Sequence, residues 1–366
     1  MSEPAFEAAK AAFLQGLQHQ QARRWDAAEE AYRSSLQHLP GRPSTLTNLA
    51  AVLNATGRPA QALPLLAQAL AADPGNADAW FQQAEAQATL GALPDALASI
   101  ERVLALQPEA GAAWSRRGGL LKDLGRPQEA VTALQRALAL GADVEINRYL
   151  LASLEGRDAP PLPPPGYVQA LFDSYATGFD GQLVDKLQYR APEQLVHGLP
   201  RAAFRSALDL GCGTGLVGRL LRPRVQALHG VDLSGGMLGR ARALGMYDTL
   251  DQAEIAQHLA ETRHRHDLVV AADVFIYLGD LAAVFAGVRR VLDDDGVFAF
   301  SVELADDAVA FELRPSSRYA QSERYLRELA AAHGFGWLAL RRGALRLEQR
   351  TPIEGLYAWL TPRRAR

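Results

Sequence analysis

A single cysteine, Cys212, stands among 366 residues, so no intrachain disulfide can brace the fold. Charge of one sign is also missing. Lys and Arg number 38 against 41 Asp and Glu, and neither half has the basic excess of a nucleic-acid or membrane-surface binder. No apolar run approaches the ~20 residues that span a bilayer. The first residues, MSEPAFEAAK, lack the basic and apolar blocks of a secretory signal. These absences lead us to expect a cytoplasmic protein with no nucleic-acid and no membrane partner. What is present is a hydrophobic content of 48%, enough for two or three domains with sizeable cores and against disorder over most of the length.

The first half repeats itself. Pro40, Pro74 and Pro108 are 34 residues apart. Gly16, Ala50, Ala84 and Gly118 keep that step, as do Ala28, Ala62, Ala96 and Ala130, and also Tyr32, Leu66, Ile100 and Leu134. Trp80 and Trp114 share it, and Gly57, Gly91 and Gly125 mark a recurring turn. Two antiparallel helices pack closely only where small residues meet at the crossing, and a large apolar residue fills the space beside it. Proline after the second helix cannot continue it. One such pair cannot bury its apolar face alone, but a stack can. We therefore read an all-α solenoid over residues 1–155: four helix pairs across about 9–142, then a capping helix near 144–154. The register resembles the tetratricopeptide repeat family. The fourth pair departs from it, with Gly141-Ala142 where the closing proline belongs. The inner groove is expected to expose Phe13, Leu17, Thr47, Asn54, Phe81, Glu85, Ser115 and Lys122. That set suits a protein or peptide partner, or self-association, and contains no Lys and Asn cluster of the kind that clamps a C-terminal carboxylate.

Residues 156–166, GRDAPPLPPPG, read as an extended, semi-rigid linker. A fragment starting near Gly166 is accordingly expected to fold and to bind its ligand. Residues 167–205 read as a helical lid rich in aromatics. Phe172, Tyr175, Phe179, Asp180 and Arg190 are its candidate substrate contacts.

Residues 206–366 alternate strands and helices, which implies a mostly parallel, doubly wound Rossmann-like sheet. Its strands are expected at about 206–210, 227–232, 268–271 and 297–301, with a closing pair at 337–340 and 356–360. Ligands of such sheets bind at the carboxyl ends of the strands, near the topological switch. There the chain reads Asp209-Leu210-Gly211-Cys212-Gly213-Thr214-Gly215, and Asp232 follows Gly213 by 19 residues. The spacing from Gly213 to Gly218 also fits a dinucleotide fingerprint. Asp209 argues against that ligand, because a carboxylate beside the turn repels a pyrophosphate and favours a cationic ligand end. The glycines let the backbone approach a ligand. Asp232 suits a ribose diol. His264 and His266 have no further ligands at metal spacing, so no metal is expected.

DLGCGTG, GVDLS and DVFIYLGDL together resemble the class I S-adenosylmethionine-dependent methyltransferases. With the lid string FDSYATGFDGQLVDKLQYRAP and with RYAQSERYL, they resemble bacterial members that carry tetratricopeptide repeats. The resemblance implies S-adenosylmethionine as cofactor. It places Asp209, Gly211, Cys212, Gly213 and Gly215 at the methionine end, Asp232 and Leu233 at the ribose, and Glu254 near the adenine. Asp273 and Phe275 would face the methyl group. Gln321 stands where the family pattern leads one to expect histidine. Tyr175, Asp273 and Tyr277 are the candidate bases, and Arg318, with Arg314, Arg341 and Arg346, is a candidate for an anionic acceptor. Three readings follow. The repeats recruit a protein or peptide acceptor; or the acceptor is a small metabolite and the repeats serve dimerisation; or the chain is a non-catalytic cofactor-binding scaffold.

Overall fold

A computed structural model describes residues 3–175, 189–348 and 351–363, with the backbone alone at residue 170 and residues 173–175. It divides into two compact units, Met1–Leu151 and Ala152–Arg366.

In the first unit, helices α1 (Glu3–Gln21), α3 (Pro43–Ala55), α5 (Ala77–Thr89) and α7 (Gly111–Asp123) each pair with their successors. Those successors are α2 (Trp25–His38), α4 (Pro59–Ala72), α6 (Leu93–Leu106) and α8 (Pro127–Ala139). Helix α9 (Val144–Glu155) follows. The columns of the sequence are the crossings. A Cβ on Gly16 would meet the Tyr32 ring at 2.5 Å, and one on Gly118 would meet Leu134 at 2.5 Å. Ala50, Ala84, Leu66 and Ile100 are fully buried at the equivalent places. Two other columns explain each other: the indole nitrogens of Trp80 and Trp114 donate to the carbonyls of Pro74 and Pro108, at 3.0 and 2.8 Å. Each bond fastens the turn that carries the chain into the next pair.

The second unit opens with α10 (Tyr167–Tyr175) and α11 (Ala191–His197). Strand β1 (Phe204–Leu210), α12 (Leu216–Leu221), β2 (Val225–Asp232), α13 (Gly235–Ala243), β3 (Thr249–Gln252), α14 (Ile255–Glu261) and β4 (His266–Ala271) come next. Then follow α15 (Ala282–Val291), β5 (Leu292–Leu304), β6 (Phe311–Leu313), β7 (Tyr319–Gln321), α16 (Glu323–Ala332), β8 (Phe335–Glu348) and β9 (Thr351–Pro362). Strands β3-β2-β1-β4-β5 lie parallel in that order, and the β8–β9 hairpin adds antiparallel to β5 through β9. The order reverses between β1 and β4, which opens the crevice at their carboxyl ends.

Side chains alternate across the sheet as pleating requires. Leu208, Val269, Phe298 and Phe300 join Phe275, Phe285 and Phe335 on one face, while Ala207, Val270 and Ala299 join Leu195 and Trp359 on the other. Three strands were not anticipated. β3 is short, polar and exposed, and β6 and β7 have three residues each, so none carries a period-2 apolar signal. The closing pair runs to 14 and 12 residues because β8, with Arg341 and Arg342, is a polar edge.

Alanine at Gly16 tests the crossing rule. It gains up to about 1 kcal/mol of helix propensity but overpacks against a fully buried ring whose hydroxyl is held by Gln20, which costs about 1–3 kcal/mol. Urea unfolding should show a net loss of stability; a gain would mean that the Tyr32 ring moves aside freely.

Candidate functional site

At the carboxyl end of β1 the chain makes a sharp turn through Gly211, Gly213 and Gly215, with φ of +65°, +53° and +95°. The amides of Gly211 and Cys212 donate to the Val231 carbonyl at 2.8 and 3.0 Å, so the turn leans on the end of β2. There Asp232 completes the link: its carboxylate accepts from Gly213 N and from Ser234 N, both at 2.8 Å. Ser234 in turn caps α13. A Cβ on Gly211 would strike Val274, whereas one on Gly213 would meet nothing within 4 Å. Gly213 therefore leaves room for a ligand, and Gly211 leaves room for the protein.

These groups open on a cavity of about 620 Å³. Its wall includes Gly211–Thr214, Asp232, Leu233, Glu254 and Ile255 at one end. At the other are Phe172, Tyr189, Ala272, Asp273, Ile276, Tyr277, Arg318 and Arg346. The volume and the mostly apolar wall, with a few placed polar groups, suit a ligand of cofactor size. The open side of Gly213 and the Asp232 carboxylate beside it fit an adenosyl group with a cationic tail.

Residues 208–298 match the family described as Methyltransferase domain, and residues 53–116 and 93–145 match families described as Tetratricopeptide repeat. The chain joins tetratricopeptide repeats to a class I S-adenosylmethionine-dependent methyltransferase domain. It is 41% identical over 117 residues to a malonyl-[acyl-carrier protein] O-methyltransferase of Geobacter sulfurreducens, covering 31% of this chain and 43% of that protein. It is 43% identical over 94 residues to the human methyltransferase-like protein 27, covering 24% and 37% of the two chains. The chain thus spans less than half the length of either relative. Among solved structures it resembles a DhpI-SAH complex, at 22% identity and a TM-score of 0.41, covering 54% of this chain and 96% of that one.

The methyltransferase domain brings most of the anticipated residues to one cavity, with several corrections. Asp209 and Gly215 are not in its wall: Asp209 is buried behind the turn, and Gly215 sits at the start of α12 against Met246, Leu244 and Tyr247. Phe275 is fully buried among Phe298 and Phe300, so it packs the core rather than the ligand. Arg190 is outside the wall and lends its amide to the Leu345 carbonyl. Phe179 and Asp180 lie outside the described residues, as does the side chain of Tyr175. Glu254 lines the cavity and also caps α14, accepting from Gln257 N at 2.8 Å. The Cys212 thiol is pushed well up by burial, so it is a small wall residue and not a nucleophile. Among the described residues no cluster of three or more His, Cys, Asp or Glu side chains is arranged to hold a metal, and His266 bonds Ser206 instead. No helix of the described residues is long and apolar enough to cross a membrane.

Some site residues were not foreseen. The segment read as a linker lines the cavity with Leu162, Pro163, Pro164, Pro165 and Gly166. The Pro161 carbonyl accepts from Gly279 N and Asp280 N at 3.0 Å each, and the Pro160 carbonyl accepts from the Tyr319 hydroxyl at 2.8 Å. It is a strap fastened to the domain. Gln321, the departure from the family pattern, is buried and donates to the Phe275 and Leu278 carbonyls, so it shapes the loop that carries Tyr277. Tyr189 closes one wall and donates to the Ala272 carbonyl at 3.2 Å.

Beneath this second end of the cavity lies a buried charge network. Asp273 has a left-handed φ of +55°, unusual for a residue with a Cβ, and strain of this kind clusters at active sites. Both its carboxylate oxygens lie 3.0 Å from Arg346, which also pairs with Glu303; Arg314 bonds Glu303 from the other side. Arg346, Asp273 and Glu303 are buried or nearly so. Burial pushes the Asp273 carboxyl up, Arg346 pulls it down and Glu303 adds to the rise. Burial also pushes up the Tyr277 and Tyr189 phenols, which keeps both as donors and makes them poor bases at neutral pH.

Arg346→Met removes the cation bonded to Asp273 and leaves that buried carboxylate without its ion pair, while Glu303 keeps Arg314. We expect a loss of about 3–5 kcal/mol at pH 7 by chemical denaturation. The deficit should shrink as the pH falls and Asp273 takes up a proton. An equal deficit at pH 5 and pH 8 would show that the pairing is not what stabilises this region.

Proposed function

We propose that the protein is a methyltransferase that uses S-adenosylmethionine and acts on a group presented by a protein. The observation that carries the first part is the Gly213–Asp232 pairing at the mouth of the cavity. In this reading Asp232 and Leu233 hold the ribose, Glu254 and Ile255 flank the adenine, and Gly211, Cys212 and Gly213 pass the methionine end. The cofactor, when bound, supplies a methyl group on a sulfonium. The chain aligns the acceptor and excludes water through Phe172, Tyr277 and the strap. Orientation of this kind can be worth ~7–11 kcal/mol.

Two features support the second part. The curated relatives include enzymes named for methylating a malonyl group on an acyl-carrier protein, an acceptor delivered by a protein. The repeats give this chain a surface for recruiting one. An acceptor that is already anionic needs no base, which agrees with the protonated phenols at the wall. Arg318, at the wall and 3.1 Å from Glu348, is the cation placed to meet such a group, whereas Arg346 is committed to Asp273 and Glu303.

Calorimetric titration should find binding of S-adenosylhomocysteine and none of NAD or NADP; the reverse pattern would refute the cofactor assignment. Asp232→Ala should weaken that binding about 10- to 100-fold, as expected for hydrogen bonds to a charged group. Because Asp232 also anchors Gly213 and Ser234, a small drop in melting temperature should accompany it.

The strap alters the expectation for fragments. One beginning at Ala152 keeps residues 160–165 and should match the full chain in affinity. One beginning at Gly166 loses part of the cavity wall and should bind more weakly. Equal affinities for the two would show that the strap takes no part in the site. Loss of the repeats should raise KM for a protein-borne acceptor and leave cofactor affinity alone, since effective concentration is what they supply.

A further inference from the structure

Tyr247, which the cavity wall does not include, sits against the back of the glycine turn. Its segment, between α13 and β3, is fixed on both sides. Arg222 donates to the Met246 carbonyl at 3.1 Å and to the Asp248 carboxylate at 2.9 Å. Asp248 in turn exchanges bonds with Leu228 of β2, its amide giving 2.8 Å and its carboxylate accepting at 2.7 Å. The ring is thereby aimed inward, and three glycines from three elements make space for it. A Cβ would come within 3.3 Å of the ring at Gly215, 2.6 Å at Gly218 and 3.0 Å at Gly230. The ring's hydroxyl donates to one oxygen of Asp209 at 2.7 Å. The other oxygen of that carboxylate, buried beside the turn, has no hydrogen-bond partner among the described residues.

We propose that Tyr247 is a positioning residue of the cofactor site: its ring braces the glycine turn from behind, and its hydroxyl holds Asp209 ready to become the anion that a cationic ligand end favours. The inference rests on the cofactor assignment above.

The charge state of Asp209 is then the quantity that Tyr247 controls. Burial raises the Asp209 carboxyl most, the Tyr247 bond opposes that, and Asp232 adds to the rise, leaving it pushed up to about 7. The other titratable groups that face it are Cys212 and Tyr189, both held protonated by burial. A ligand carrying an ammonium binds the ionised form, so affinity should increase with pH until Asp209 is ionised without ligand. Loss of the hydroxyl raises the carboxyl further and moves that rise to higher pH. In the free protein the sign is opposite. Native Asp209 keeps its proton to higher pH than an ordinary aspartate, so stability falls as pH rises between about 4 and 7.

The test uses the full chain as wild type, Tyr247→Phe and Asp209→Asn. S-adenosylhomocysteine affinity is measured by calorimetry from pH 6 to 8.5, and the melting temperature of the ligand-free protein from pH 5 to 8.5. Wild-type affinity should climb about tenfold per unit below pH 7 and then level. For Tyr247→Phe the midpoint should move up by about one to two units, a loss of about 5- to 50-fold at pH 7 that narrows at pH 8.5. Its melting temperature should keep falling to a higher pH than the wild type's, while Asp209→Asn should be flat in both measurements. Affinity lowered by one constant factor at every pH, with an unchanged melting profile, would reduce Tyr247 to packing and overturn the proposal. A wild type that binds no S-adenosylhomocysteine would defeat the cofactor assignment; the melting profiles would still decide whether Tyr247 governs Asp209.

Discussion

The second unit depends on one carboxylate. Asp232 ends β2 and receives the amide of Gly213 from the turn after β1 and the amide of Ser234 from the start of α13. Parallel strands have no hairpin to join their carboxyl ends, so the turns there must be tied by something else. A buried carboxylate that accepts two backbone bonds does this beside a cavity. In the proposed function, the carboxylate that holds the turn is also the one that would hold the diol.

A second constraint runs across the sheet to the C-terminal hairpin. Arg346, on β8, supplies the positive charge for Asp273 at the end of β4 and for Glu303 on β5. Three charges buried together cost more in desolvation than most pairs return. Such a network is kept where it fixes something. Here it fixes Asp273 in a left-handed backbone conformation at the point where β4 delivers the chain to the cavity. The closing hairpin thus belongs to the site even though its residues stand some 70 positions from Asp273 in sequence.

How legible this was depends on the range of the interaction. The repeats were readable because every crossing recurs at a fixed step: Tyr32 lies 16 residues after Gly16, and Leu134 lies 16 after Gly118. The turn and Asp232 were readable because glycines and an acid at a strand end have a local reason. The strap was misread for the opposite cause. Proline-rich chain is extended whether it is solvated or docked, and its docking depends on Gly279 and Tyr319, more than a hundred residues away. The family resemblance set Phe275 at the methyl group, but residues 275–277 form a single 3-10 turn whose successive side chains point about 120° apart, so its ring turns into the aromatic core while Tyr277 faces the cavity.

The glycine motif shows why spacing alone could not identify the ligand. A glycine records only that a Cβ is disfavoured, by crowding or by a left-handed backbone, and in this turn the surroundings differ at each position. At Gly211 the obstacle is Val274; at Gly213 it is open cavity, left for a ligand; at Gly215 and Gly218 it is the Tyr247 ring and its neighbours. Only one of these four is explained by what the turn binds. The same string of glycines would serve a dinucleotide site in which other obstacles filled the same places. What separates the two possibilities is charge: Asp209, buried behind the turn and bonded to Tyr247, sets a carboxylate where a pyrophosphate would be repelled. The chemical identity of the site therefore resides in the residues behind the turn, and the glycines are the consequence of fitting them there.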